Sequence, residues 1–497
     1  MEATTFQAIA MIIYLVAMIM IGLLAYNRTN DLDDYMLGGR QLGPAVAALS
    51  AGASDMSGWL LLGLPGAIYL NGLIEAWIAV GLTIGAWLNW KVVAPRLRAY
   101  SQVSGNSITI PSFLGSRLKD ETNIIRIIAG IIIMVFFTFY VSSGMVSGGV
   151  FFESSFGMNY HLGMVLVAAI TVMYTLIGGF LAVSWTDVVQ GLMMLIALVM
   201  VPVVGIMHVG GPVQLYHEIN AVQPGLLSLL GSKGVLTGAT LFGIISAMAW
   251  GLGYFGQPHI IVRFMALKSP AEAEAARRIG IGWMLLSIIG AGMTALVGVA
   301  VYHHDKGQLP NHEAVFISLG QMLFHPLIAG LMLAAILAAI MSTISSQLLV
   351  TSSAIVEDIY RAFTKEEISS NDGILYGRIA VGIVSVLAAA LAWVRNDTIL
   401  GLVAFAWAGF GASFGPTVLL ALYWRKFTAW GAVAGMVSGA VTVGVWGNLK
   451  GGIFEMYEIL PGFIVNVLVA VIVSYATAKK NPEIEAEFAE AERLLTQ

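Results

Sequence analysis

The chain has 497 residues, of which 58% are hydrophobic and only 10% charged, with a net charge of −4 and no cysteine. A soluble domain carries about 25% charged residues, so this composition points to a membrane protein. It excludes a basic nucleic-acid-binding surface, a disulfide framework and thiol chemistry.

A helix needs roughly 20 apolar residues to cross a bilayer, and lipid leaves helices as the expected spanning form. Candidate spans lie near 5–26, 45–70, 73–93, 124–150, 161–181, 187–208, 236–258, 280–303, 316–346, 374–394, 398–424, 428–447 and 456–478, about thirteen in all. "MEATTFQAIA" lacks a basic stretch and a small-residue cleavage site, so the first span reads as a retained helix rather than a signal peptide.

The second span carries "SAGASDMSGW", with Asp55 among Gly52, Ser54, Ser57 and Gly58. An ionisable group at membrane depth is costly and marks a functional hypothesis. Glycine and serine also weaken a continuous helix. A broken helix is tolerated at that depth where it lines a cavity or is buried in protein, and it presents free carbonyls to a cation and free N–H groups to an anion. The fourth span offers Tyr140 in "VFFTFYVSSG". The seventh, "AMAWGLGYFGQPH", combines Trp250, Tyr254, Gln257 and Pro258 with three glycines and reads as a second break. Breaks five spans apart suggest inverted five-helix repeats, with a binding site where the breaks meet. In the ninth span, Ser342 and Thr343 follow Ala339 by three and four positions and share its helix face. Two hydroxyls and a freed carbonyl suit a hard cation such as sodium, since no His or Cys is offered.

Thirteen spans with the N-terminus outside place twenty Lys and Arg residues, Arg263 and Lys365 among them, on the inner side, and four on the outer side. That is the bias expected of cytoplasmic loops. The tail "NPEIEAEFAEAERLLTQ" reads as a solvated amphipathic helix in the cytoplasm. His303 and His304 read as a solvated outer loop. No enzyme motif occurs in a matching context, and the loops are short, so the chain is not expected to be an enzyme.

The motifs "DDYMLGGRQLGP", "SAGASDMSGWLLLGLPGA", "IGGFLAVSWTD", "WGLGYFGQPHI", "ILAAIMSTIS" and "AWAGFGASFGP" resemble the sodium:solute symporter family along essentially the whole chain. The run from Ser50 to Ala67 looks specific to its proline-carrying branch. The resemblance implies an all-α leucine-transporter-type fold of about thirteen helices. A first helix and loop would cover 1–44, the repeats 45–208 (spans 2–6) and 236–424 (spans 7–11), two peripheral helices 425–478, and the tail 479–497. It implies sodium on the carbonyls of Ala53, Met56 and Ala339 and the hydroxyls of Ser342 and Thr343, supported by Asp55. Arg40 would act in coupling. Substrate would lie near Ser57, Gly58, Trp59, Tyr140, Trp250, Tyr254 and Pro258. Relatives that move sialic acid suggest a possible second sodium site at Asp187, Ser345 and Ser346, although one ion is expected in the proline branch.

The residues alone indicate a small amphipathic solute; L-proline comes from the resemblance. The half-helix starting near Ser57 would offer its N–H groups to a carboxylate, and the aromatic residues would enclose an apolar ring. The expected function is sodium-coupled uptake of L-proline across a bacterial plasma membrane by alternating access. The alternatives are a sodium symporter for pantothenate or another amino acid, or a channel or sensor of the same shape.

Overall fold

The computed structural model describes residues 2–364 and 367–497; Met1, Lys365 and Glu366 lie outside it. Among the described residues the chain is helical, and its one β-bridge pairs Leu42 with Leu267. Eleven helices are long and apolar enough to span a membrane, and the bent pair Pro44–Asp55 and Trp59–Asn71 makes a twelfth span. The helix Tyr160–His208 supplies one more. Its 49 residues would measure about 74 Å, more than twice the roughly 30 Å hydrocarbon core.

That helix divides at Gly179 (φ 59°, ψ −153°), a left-handed conformation that glycine adopts without a Cβ clash. A Cβ there would also meet the Tyr35 ring at 2.5 Å. The chain folds back at this point: Tyr174, before the kink, donates to the Met341 carbonyl at 3.0 Å, and Gln190, after it, donates to Tyr14 beside the same Met341. The fifth and sixth spans, expected near 161–181 and 187–208, therefore meet at one residue.

Both expected breaks are present. The halves of the second span are bent by 61°, with Met56 (φ −78°, ψ 85°) outside helical geometry. The seventh span runs as an α-helix over Gly238–Met248, tightens into a 3₁₀ helix over Ala249–Gly256, and restarts at Pro258–Met265 after extended Gln257. Proline suits the first helical position because its missing N–H would be unpaired there. The 3₁₀ segment packs closely on the eleventh span, Ile399–Tyr423. A Cβ on Gly253 would lie 1.9 Å from the Trp407 indole nitrogen.

Burial separates centre from periphery. The apolar window of the ninth span, within Pro326–Thr364, is 83% buried, against 28% for the last span, Ile459–Ala476. Loops gather at two poles. At one, Arg98 donates to the Leu267 and Lys268 carbonyls, Arg117 to those of Ala421 and Trp424, and Arg126 pairs with Asp358. At the other, Glu218 of the Pro212–Val222 helix meets His303 and His304, and Arg395 pairs with Glu313.

Three expectations need correction. Arg263 is not a loop cation: the half-helix Pro258–Met265 carries it into the interior, where it is fully buried. His303 and His304 are exposed as expected but do not lie in a loop: they close the helix Ala273–His304, with both ring Nδ1 atoms within hydrogen-bond distance of Glu218. The tail is not a free helix. Pro482–Leu495 buries Phe488 beneath the guanidinium groups of Arg96, Arg117 and Arg425, which lie 5.1, 5.8 and 4.6 Å from its ring. Glu492 and Glu485 pair with Arg96 and Arg425, and Glu487 with Lys119. The apolar stripe of this acidic helix meets a basic pole, which its own residues could not reveal.

Candidate functional site

The break in the second span leaves carbonyls at the end of Pro44–Asp55 without intrahelical donors, as any helix end does. Ser342 donates to the Ala53 carbonyl at 2.7 Å and also lies 3.1 Å from its own Ala339 carbonyl; Thr343 lies 3.5 Å from Ala53 O. Ala53, Ala339, Ser342 and Thr343 thus come together in a buried cluster where the second span touches the ninth. Each hydroxyl keeps lone pairs after donating its hydrogen. The donor set is all oxygen, without imidazole or thiolate, and it fits a small hard cation such as sodium. Met56 and Ser57 are the residues of the break that lie outside helix.

Asp55 closes the same half-helix. One carboxylate oxygen accepts a short hydrogen bond from the Tyr254 hydroxyl, and the other has no partner among the described residues. The Tyr140 hydroxyl, both ring nitrogens of His259 and the side-chain Oε1 of Gln257 are likewise buried without partners among the described residues. Tyr140 and His259 stand edge to face, 5.6 Å between ring centroids. An unpaired buried polar group costs about 1–3 kcal/mol, so a cluster of them marks a place built for water or solute. A cavity of about 20 Å³ lies against Asp55, Met56 and Tyr254, enough for one water.

The expected substrate residues divide. Ser57 accepts from the Trp59 amide at 3.3 Å, while the Trp59 indole turns back to the Asp55 carbonyl at 3.1 Å. Gly58 is a close-packing position, because a Cβ would meet Ser147 Oγ at 2.6 Å. Tyr254 stands edge-on to Trp407 at 5.0 Å, and Trp250 lies against Tyr457 at 4.9 Å. Pro258 lines a small cavity with Met36, Thr109 and Val262. Trp407, Tyr457 and His259 had not been singled out. Trp407 and Tyr457 join the aromatic group through contacts distant in sequence, and His259 adjoins the Gly/Pro break, which could have drawn attention to it.

Arg40 ties the basic pole together. It donates to Asn106, Ser101, the Ser107 carbonyl and the Met265 carbonyl at 3.2, 3.0, 2.6 and 2.8 Å. Burial, reinforced by nearby Arg98, lowers its guanidinium to about 10, so it remains charged at neutral pH. It fastens the end of the broken seventh span to the loop after the third. Asp187 accepts from Ser50 at 2.7 Å and pairs with Arg263 at 3.3 Å; Arg263 also donates to Ser346 at 2.7 Å. Ser345 donates instead to the Ser342 carbonyl at 3.0 Å. No group of three or more His, Cys, Asp or Glu suited to a metal occurs among the described residues.

A profile of the sodium:solute symporter family matches residues 35–439. A high-affinity proline transporter, PutP, of Bacillus subtilis is 55% identical over 97% of this chain and 100% of its own length. A sodium/proline symporter of Staphylococcus aureus is 51% identical, covering 96% of this chain and 93% of its own. Among solved structures, a Na+-coupled sialic acid symporter superposes with a TM-score of 0.81 at 19% identity, over 96% of this chain and 99% of its own. Mhp1, a nucleobase-cation-symport-1 family transporter, gives 0.53 at 13% identity, over 93% and 99%.

Proposed function

Because the chain belongs to the sodium:solute symporter family, we propose that its two broken spans form the centre of a sodium-coupled proline symporter. The protein is a multi-pass membrane transporter, not an enzyme. It couples sodium to the movement of L-proline. One observation carries the mechanism: hydroxyls of the ninth span converge on the Ala53 carbonyl at the break of the second.

Sodium would bind the Ala53, Met56 and Ala339 carbonyls and the Ser342 and Thr343 hydroxyls, with Asp55 supplying negative charge nearby. Bound there, it would hold the second span against the ninth. The same break starts the half-helix whose N–H groups and positive dipole end would meet the proline carboxylate near Ser57. Tyr140, Trp250 and Tyr254 would enclose the pyrrolidine ring, and His259 and Gln257 supply polar atoms in need of partners. Ion and solute thus share one movable element. Gly58, Trp59 and Pro258 would act through the shape of the two breaks. Arg40 would couple the site to the basic pole by fixing the end of the seventh span.

Residues 45–208 and 236–424 would form the two inverted repeats. The basic pole faces the cytoplasm in this reading, following the usual enrichment of Lys and Arg there, with the N-terminus outside a bacterial plasma membrane. The test is uptake of labelled proline into proteoliposomes under an imposed sodium gradient, competed by a panel of amino acids and pantothenate. Uptake that ignores the gradient, or that pantothenate suppresses better than proline does, refutes the reading.

A further inference from the structure

Arg263 is fully buried, and each of its polar contacts is to oxygen. Its guanidinium reaches Asp187 Oδ2 at 3.3 Å, Ser346 Oγ at 2.7 Å and Ser50 Oγ at 3.0 Å, and makes a short bond to the His259 carbonyl. The Phe180 ring lies 5.3 Å from the guanidinium carbon. Asp187, Ser50 and Ser346 are also fully buried. One carboxylate, two hydroxyls and a carbonyl form a cage with a single negative charge, the inventory of an alkali-cation site. A buried carboxylate that stays ionised needs a counter-charge, and here that charge is covalently attached to the seventh span.

We propose that Arg263 is the resident cation of this cage, taking the place of a second sodium ion and fixing the transported stoichiometry at one. This rests on the sodium-coupled reading above. A free ion could leave the cage with each cycle and carry charge across the membrane. A guanidinium on the Pro258–Met265 half-helix cannot leave; it releases Asp187 only if the second, sixth, seventh and ninth spans separate, and it recaptures the carboxylate when they return. The same cage then contributes to closure without contributing to the driving force.

The test counts ions. Wild type, Arg263→Gln and the pair Asp187→Asn/Arg263→Gln are purified and reconstituted. Radiosodium binding and charge moved per proline are measured at about pH 8.5, well above the ordinary carboxylate range. Arg263→Gln leaves Asp187 without its cation, so bound sodium and charge per proline should both double. The pair has no excess charge and should return to the wild-type ion count. The proposal is overturned if wild type already binds two ions, if folded Arg263→Gln binds no additional sodium, or if the pair binds fewer ions than wild type. Should Arg263→Gln fail to fold, the wild-type and pair counts still decide, because loss of an ion in the pair makes Asp187 a sodium ligand. Failure of the underlying function would look different: wild type would show no sodium-dependent proline uptake at all.

Discussion

Ser342 and Thr343 both approach the Ala53 carbonyl, but at 2.7 and 3.5 Å, and this difference separates stability from ion binding. A hydroxyl hydrogen bond is good at 2.5–3.0 Å, so only Ser342 satisfies that carbonyl well. Ser342→Ala leaves a buried acceptor with one long contact and should destabilise the sodium-free protein by about 1–3 kcal/mol. Thr343→Val removes only the long contact and should cost less than about 1 kcal/mol. If both hydroxyls are cation ligands, each variant loses an interaction of the charged hydrogen-bond class, about 1.5–3 kcal/mol. At about 1.4 kcal/mol per tenfold, sodium affinity should fall roughly 10- to 150-fold in each. Thermal denaturation in sodium-free buffer and calorimetric sodium titration measure the two effects separately. Wild-type sodium affinity in Thr343→Val, with its stability intact, would remove Thr343 from the ion site. Equal stability losses in the two variants would refute the hydrogen-bond argument.

Sodium should tighten proline binding by about 5–150-fold, and linkage requires proline to tighten sodium by the same factor; equal proline affinity with and without sodium, measured by calorimetry, refutes the shared break. Asp55→Asn keeps the size but loses the charge, so the sodium concentration needed for half-maximal uptake should rise strongly, and an unchanged sodium dependence in uptake assays removes Asp55 from the site. Trp250→Ala should weaken proline binding while sparing sodium binding measured without proline. At the pole opposite Arg40, hydrogen bonding from His303, aided by Gln214 and His304, lowers Glu218 to about 2 from the usual 4.5. A depressed carboxylate stabilises above its unfolded value and loses that contribution as pH falls through the folded one. Hydrogen-exchange protection of Pro212–Val222 should therefore persist below pH 4.5 and decline toward about 2, and Glu218→Gln should abolish that dependence. Phe488→Ala should free the tail and speed tryptic cleavage after Lys479 and Lys480, whereas unchanged cleavage would mean that the ion pairs alone hold it.

Much of this architecture could be read from residue order because its causes are local. Apolar length defines spans, and Gly/Ser around Asp55 and Gly/Pro around Gln257 interrupt them where the chain bends. The i, i+3 and i, i+4 spacing puts Ala339, Ser342 and Thr343 on one face, and the two hydroxyls approach the Ala53 carbonyl while Ser342 also reaches that of Ala339. What escaped depends on partners far along the chain. Arg263 follows a short half-helix and resembles a loop cation until Asp187, Ser50 and Ser346 are seen around it. The fifth and sixth spans join without a loop because one glycine with positive φ turns the chain, a turn that needs no polar residues to announce it. The amphipathic tail reads as solvated, because the guanidinium groups that cover Phe488 come from three distant segments.

The pairing of Trp250 with Tyr457 bears on how small this transporter can be made. Tyr457 precedes the last span, yet its ring lies against Trp250 and its hydroxyl holds the Ala404 carbonyl at 2.6 Å. The two terminal spans, Ala429–Trp446 and Ile459–Ala476, are only 33% and 28% buried over their apolar windows and look dispensable beside the more deeply buried spans. Cutting the chain after the eleventh span would nevertheless strip an aromatic wall from the seventh and expose Trp250 to lipid or detergent. A minimal version of this protein must keep that hairpin or replace Tyr457 with another ring held in its place.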